Sequence, residues 1–517
     1  MQTRKLMGSL VLCVLAAACS VAPNRNSLPI TPPPPGSAEE SREVFVGAPP
    51  PVVEPQEARA RTAKVAVNDT VTNIPVSNGV DEDTEPTVSA LNLLGGDRTS
   101  VAFIKITPSP DLTQMPFVAR IHTTSTWSLD GGFPTPVPVV APFSVFTGQR
   151  YAHTADPYLS ANIRTTGVAP LRTYLVGLAY NMTSRGIHPN GAVTIWRSDD
   201  GGGTWTAPVK VAEAQSPRVL DKPHMVVSWN ETAYDPDGNG ATAGHVYVTW
   251  VDVPSNNDTS DLRIMFSRSI DGGQTFSTPQ ILATGYVHAP QIVVPANTGR
   301  VFVLYARYNS SNTRVNSIEM VRSTNAGVTF SAQPTLSNTR MLGPSTDSLN
   351  TGAGLKKTQA RSVFQAEYNA GAGIQVVWHG EDPNNTAQTD IYYAGFSGSW
   401  AMKNITPSVP GDQWNPSFAI DAARYARVVW LDRRNDPQNL TYQPYYTKIN
   451  TSGTPIQTAA PLDTATNLAG HYQRSPAVGE YCDTYYWGYA TGSRFVTVWP
   501  RIYGLDNGDI HASVIAP

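Results

Sequence analysis

Charge is scarce in this chain. Asp, Glu, Lys and Arg make up only 15% of its 517 residues, and the net charge is −3. A nucleic-acid binder carries a basic field, so no nucleic acid is expected as a partner. Cysteine is scarcer still, with three residues, Cys13, Cys19 and Cys482. The first lies in an apolar leader and the second at its end, so no internal disulfide can form in the processed chain. Cys482 reads as a small buried hydrophobe among aromatics. No stretch beyond the first twenty residues has the apolar period of an amphipathic helix. Metal-ligand spacing is also missing. Asp235-Pro-Asp-Gly-Asn-Gly240 lacks the far bidentate Glu of a calcium loop and reads as a hairpin loop. Neither a metal nor a cofactor is expected.

What is abundant is turn chemistry, with 40 Gly and 43 Pro, set among runs rich in Val, Thr, Tyr and Trp. That mixture points to an all-β chain. The N-terminus reads as a targeting segment. Arg4-Lys5 precede an apolar run from Leu6 to Ala18, too short to span a bilayer stably. It ends Ala16-Ala-Ala-Cys19, which resembles a bacterial lipoprotein signal, with Cys19 as the lipidated residue. Ordinary cleavage after Ala18 is the alternative. The expected organisation is a signal over 1–18, a Pro-rich tether over 19–62 and a folded domain over 63–517. The expected location is the outer membrane or cell surface, with secretion or the periplasm as alternatives.

One phrase recurs within the folded domain. Arg197-Ser-Asp-Asp-Gly-Gly-Gly-Thr-Trp205 returns as Arg268-Ser-Ile-Asp-Gly-Gly-Gln-Thr-Phe276 and Arg322-Ser-Thr-Asn-Ala-Gly-Val-Thr-Phe330. A damaged copy is Ser128-Leu-Asp-Gly-Gly132. A second pattern pairs an extended segment, often opened by x-Pro, with a β-branched run that often ends in Trp and an acid. Lys222-Pro-His-Met followed by His245-Val-Tyr-Val-Thr-Trp-Val-Asp252 is one instance. It occurs seven times, at anchors 86, 157, 223, 290, 361, 416 and 476. Four strands per unit, repeated around an axis, is a β-propeller. The last unit has three strands before Pro517, so an N-terminal strand, placed at Ala63–Asp69, is expected to close the ring.

In the repeated phrase, the carboxylate or amide at 200, 271 and 325 can accept backbone N–H groups. Gly202, Gly273 and Gly327 permit positive φ. Trp205, Phe276 and Phe330 can bury between blades. The spacing Ser-x-Asp/Asn-x-Gly-x-Thr-aromatic resembles the Asp box of sialidase-like (bacterial neuraminidase repeat) propellers. The matching residues are Ser198, Asp200, Gly202, Thr204 and Trp205; Ser269, Asp271, Gly273, Thr275 and Phe276; and Ser323, Asn325, Gly327, Thr329 and Phe330. The resemblance spans roughly residues 80–517. It implies a structural role for these residues. Sialidases have six blades, so six is the alternative to seven.

An Asp box joins the third and fourth strands of a blade. The sialidase resemblance implies that ligands bind on the opposite face, where first strands begin and second strands end. The residues placed there are Arg218, Asp221, Asp252, His288, His379, Glu381, Asp432, Arg433 and Arg474, with Trp414 in an aromatic-lined mouth. A sialidase-type mechanism implies three arginines on a substrate carboxylate, for which Arg218, Arg433 and Arg474 are the candidates. It also implies a Tyr nucleophile, with Tyr481 as the candidate, and an acid/base Asp, with Asp221 as the candidate. Two features depart from the family. No Phe/Tyr-Arg-Ile-Pro motif is present, the nearest string being Ala119-Arg-Ile-His122. Glu480 and Tyr481 would also point to opposite faces of a strand. The expectation is therefore a propeller that binds a glycan or another surface ligand at this face. A sialidase-type hydrolase and a scaffold for envelope or surface proteins are the alternatives. Membrane contact is expected through the N-terminal lipid only.

Overall fold

The computed structural model describes most of the chain between residues 69 and 516. Residues 1–68 and internal stretches, the longest being 229–243, 342–363 and 469–482, lie outside the described residues. The expected signal, Cys19, the tether, the Asp235 loop, Arg474, Tyr481 and Cys482 all fall there.

The described strands form seven antiparallel four-stranded blades. Blade 1 comprises Glu82–Leu91, Arg98–Pro108, Phe117–Thr126 and Val137–Pro138. Blade 2 comprises His153–Asn162, Arg172–Tyr180, Ala192–Ser198 and Val209–Glu213. Blade 3 comprises Arg218–Val227, Val246–Pro254, Leu262–Ser269 and Gln280–Gly285. Blades 4, 5 and 6 begin at Val287–Val293, Phe364–Asn369 and Gln413–Ile420. Blade 7 holds Asp483–Trp487, Arg494–Gly504 and Asn507–Ala516. Its fourth strand is Thr70–Pro75, which pairs antiparallel with Asn507–Ala516 from Thr70↔Ala516 to Pro75↔His511.

Closure by an N-terminal strand is therefore observed, but by the residues after Asp69. Asn73 explains the register. Its amide donates to the Leu462 carbonyl at 2.9 Å and accepts from the Ser513 hydroxyl at 2.6 Å, linking blades 6 and 7. The inner strand of blade 7 is also later than Ser475–Glu480. The Tyr-Tyr-Trp run 485–487 pairs with Arg494–Val496 across a short connection.

The core lies between blades. Second-strand tryptophans Trp250, Trp378, Trp430 and Trp499 are all at most 1% exposed. They fill the gap that neighbouring sheets leave when stacked face to face. The innermost strands line the central channel and, apart from a single Glu82↔Gly508 pair in blade 1, have a neighbour on one side only. Proline is tolerated on such an edge because it owes no ladder N–H. At Asp156-Pro, Lys222-Pro, Ala289-Pro and Asn415-Pro the preceding residue is left-handed, with φ of 51°, 47°, 51° and 48°. The strand register shifts at each of them. Each x-Pro is thus a β-bulge that re-aims its side chains. The free edge N–H groups are taken by the preceding blade. Leu159 donates to Thr87 Oγ1, Val227 to Ser160 Oγ and Ile292 to His224 Nδ1, each at 3.2 Å.

The three repeated phrases fold as one turn. Asp271 Oδ1 accepts from the Gln274 and Thr275 N–H groups at 2.9 Å and from Ser269 Oγ at 2.7 Å, and Oδ2 accepts from Thr275 Oγ1 at 2.5 Å. Burial would raise this carboxyl, but the donors from Thr275, Ser269 and Gln274 outweigh it and hold it below its ordinary value. Asp200 repeats the arrangement, and Asn325 retains most of it. Gly202 and Gly273 have φ of 90° and 82°. A Cβ on them would lie 2.3 Å from Ser100 Oγ and 2.7 Å from Ile195 Cδ1, both on the preceding blade. Trp205, Phe276 and Phe330 are half-buried rather than fully buried, and each packs on the blade before its own.

Three buried histidines make the fold acid-sensitive. Burial pushes His224 down to about 3, His153 to about 4 and His511 to about 4, with Arg120 and Arg501 assisting at the last two. Each pKa is depressed on folding. The stability they contribute is therefore complete above pH ~6.5 and is lost as pH falls toward 4. The melting temperature is expected to be flat from pH 8 to 7 and to drop by several degrees by pH 5. A scan of thermal unfolding against pH checks this.

Candidate functional site

The repeated turns pack on the connections between first and second strands. Gly272 N–H meets the Gly244 carbonyl at 3.2 Å, and Ala326 N–H meets the Gly299 carbonyl at 3.0 Å. This is the back of the ring. The front carries the starts of first and third strands and the ends of second and fourth strands.

The bulges bring front-face side chains together across blades. Lys222 Nζ lies 3.2 Å from Asp156 Oδ2, joining blades 3 and 2. Asp221 Oδ2 lies 3.2 Å from His288 Nε2, joining blades 3 and 4. The Lys222 N–H donates to Asp221 Oδ1 at 2.9 Å, so the two pairs form one line. His288 and Lys222 side chains are 18% and 14% exposed, whereas Asp221 is 2% exposed. Asp221 is thus a buried support that aims His288, not an open acid.

Arg218 and Asp252 also meet on the front, but with each other. Arg218 Nε donates to Asp252 Oδ1 at 2.7 Å, and its Nη1 donates to Asp261 Oδ2 at 2.7 Å. Its Nη2 donates to both main-chain carbonyls of these residues. Burial raises the Asp252 carboxyl above its ordinary value even though Arg218 opposes this. Glu381 accepts a bidentate pair from Arg314 at 2.6 and 3.0 Å, joining blades 5 and 4.

Blade 6 departs from the sequence expectation. Trp414, expected to line the mouth, is completely buried, and the Arg433 guanidinium stacks over it at 4.8 Å. The Arg433 side chain is 0% exposed and lies 3.3 Å from Asp412 Oδ2. A guanidinium in that position cannot reach a ligand, so Arg433 belongs to the core of the blade. Asp432 is likewise a structural acid. It accepts from Trp430 Nε1 at 2.7 Å and from Arg434 N, Nε and Nη2 at 2.8, 3.0 and 2.6 Å. His379 is 1% exposed. His379, Asp432 and Arg433 share one cause. Second strands run through the middle of a blade, so the residues at their ends are covered, whereas Trp414 lies on the inner strand and is covered in part by Arg433.

The partners Asp261, Arg314 and Asp412 were not among the expected residues. They precede third strands or the inner strand of blade 6, and third-strand starts share the front face, so the blade pattern could have located the first two. Asp390 was also missed. Burial and the neighbouring Asp382 push its carboxyl up to about 6, against hydrogen bonds from Asn404 and Thr406. It is 1% exposed, which shields it from a ligand. A cleft between blades 2 and 3, lined by Asp156, Leu178, Tyr180 and Val219 among others, holds about 20 Å³. That is room for a water molecule, not a sugar ring. Among the described residues no group of three metal-ligating side chains converges.

No protein-family model matches the sequence, and no curated protein sequence matches it. Solved structures with similar architecture include the α-L-arabinanase of Penicillium chrysogenum, at 12% identity and a TM-score of 0.44, covering 87% of this chain and 99% of that one. A protein of unknown function from Dyadobacter fermentans covers 86% of this chain and 99% of its own at 10% identity and a TM-score of 0.43. The leech intramolecular trans-sialidase covers 72% and 68% at 11% identity and a TM-score of 0.42. The propeller assignment itself rests on the strand pairing above.

Proposed function

We propose that this is an exported, lipid-anchored propeller that binds glycan hydroxyls at its front mouth without hydrolysing them. The observation that carries the reading is the line Asp156–Lys222–Asp221–His288. It presents fixed donors and acceptors from three blades at the channel mouth. Such preorganised polar groups suit a ligand rich in hydroxyls. A sialidase-type grip needs arginines open to a carboxylate, and Arg218 and Arg433 are held by aspartates within their own blades. The proposed tether carries the ring from a lipidated Cys19.

The test is a glycan-array screen beside a fluorogenic sialoside assay, on the parent, Lys222→Ala and His288→Ala. Binding without turnover is expected, with at least a tenfold loss of affinity in each variant and little change in melting temperature. Sialoside turnover, or glycan binding indifferent to both substitutions, overturns the reading. Anchoring is tested separately by palmitate incorporation into the parent and Cys19→Ala.

A further inference from the structure

The connection between blades 1 and 2 is unlike the rest of the surface. Among the described residues nine large hydrophobic side chains are exposed, and five belong to one ten-residue stretch: Val137, Val140, Phe143, Val145 and Phe146. The other four, Ile281, Val328, Met402 and Ile456, stand singly on blades 3 to 6. Isolated exposed apolar side chains need no explanation, but a contiguous set marks a contact surface.

The stretch is a built finger. Its base is held by one half-buried acid. Glu213 Oε1 accepts from Ser144 Oγ at 3.2 Å, Val145 N at 2.9 Å and the Tyr151 hydroxyl at 2.7 Å. The Trp196 indole donates to the Val140 carbonyl at 2.7 Å. Phe143 and Arg150 pair as a bridge, and Gly148 N–H closes the tip on the Ser144 carbonyl at 2.9 Å. Buried Val139, Pro142 and Ser144 alternate with the outward side chains. Hydrophobic groups are thus held out in water by a frame that could have turned them inward. Val145 is 69% exposed and Phe146 is 52% exposed, at the tip. Glu213 and Asn190, the contacts at the base, lie where the fourth strand ends and the third begins. The finger therefore projects from the front rim.

We infer that this finger inserts into a lipid bilayer and docks the front face on it. Three features choose lipid as the occupant. No acidic residue occurs between Asp130 and Asp156, so nothing in the stretch repels an anionic headgroup. Its only formal charge is Arg150, which lies over the Phe143 ring at 4.2 Å, a cation at the base of an apolar tip. This order, apolar end and basic collar, matches the acyl and phosphate layers of a membrane surface. The chain outside the structure can also reach. About 50 residues separate Cys19 from the start of the closing strand. A chain of that length can reach at most about 165 Å when fully extended. A ten-residue strand, and so the ring, is about 33 Å tall.

The proposal rests on the anchored-propeller reading and extends it, because a lipid at Cys19 would tether the ring while the finger sets which face meets the membrane. A front face lying on lipid would offer its mouth to headgroup sugars.

The test uses residues 20–517, which carry neither the apolar leader nor Cys19, with phosphatidylethanolamine–phosphatidylglycerol vesicles in a sedimentation assay. Binding is expected, with at least a tenfold loss in Val145→Asp/Phe146→Asp and a several-fold loss in Arg150→Glu. Unchanged melting of both variants shows that the fold is intact. A parent that leaves the vesicles untouched, or a double variant that binds as well as the parent, overturns the inference. So does sedimentation as a dimer that the double variant dissolves, since a second copy would then cover the finger. Failure of glycan binding or of palmitate incorporation leaves this result unaffected, so the readings fail separately.

Discussion

A chain lacking residues 1–75 is expected to lose its cooperative fold, while one lacking only residues 1–68 melts as the full chain does. The difference is one strand. Thr70–Pro75 supplies the fourth strand of blade 7 along six consecutive pairs with Thr70↔Ala516 at one end. With it go the Asn73 hydrogen bonds to Leu462 and Ser513 and the ion pair between Asp69 and the buried Arg427. Ile74 is 8% exposed and packs with Val498, Ile510 and Ala512. Val71 packs on the neighbouring cluster around Trp499. Full burial of one such side chain is worth about 1.5–3 kcal/mol, and the half-buried Val71 contributes a part of that. The lost hydrogen bonds add about 1 kcal/mol apiece. A total of roughly 5 kcal/mol rivals the whole stability of many proteins. Removal would also leave Asn507–Ala516 as an open edge, a template for aggregation. Paired thermal melts and light scattering of the two truncations decide it. Equal melting temperatures would show that ring closure lies elsewhere.

Asp432→Ala is expected to destabilise the protein by about 3 kcal/mol and to leave glycan binding untouched in whatever fraction remains folded. The carboxylate is completely buried and accepts from Trp430 and three times from Arg434. Deleting one member of a buried pair costs about 3–5 kcal/mol. Arg434 remains 19% exposed and stacks on Tyr445 at 4.1 Å, so water relieves part of that cost. Asp432→Asn keeps the shape and the Trp430 acceptor and should recover about half of the loss. Denaturant unfolding of both variants, with binding measured on the folded protein, checks this. A large binding defect at wild-type stability would return Asp432 to the ligand site.

The candidate site was legible to different depths. Asp221 and His288 were assigned to the face opposite the repeated turns because the blade register, read from x-Pro anchors, locates every first-strand start. Their mutual contact was not legible, since it depends on bulges that turn Asp221 toward the next blade. Trp414 and Arg433 were read as mouth residues because they stand at the same register positions. Position in the register says which end of the blade a residue occupies. It does not say whether a neighbouring loop covers it. Tyr481 and Arg474 fall outside the described residues, so the expectations for them stand as first stated.

What the sequence determined by itself is the repeated turn and the propeller class, with seven blades favoured over six; the side of the ring on which ligands are expected came from the family resemblance. The turn and the repeat follow from local chemistry: a Ser and an Asp that hold their own backbone, a Gly at positive φ, and apolar strands at a regular period. Only the tertiary structure decided which front-face charges remain open. Arg314 and Glu381, and His288 and Asp221, are each 67 residues apart, and Arg433 and Asp412 are 21 apart. Ion pairing is set by distance in space, and stacking one blade on the next sets that distance. The exposure of Val145 and Phe146 was settled in the same way, because Glu213 of the next blade holds the base of their loop.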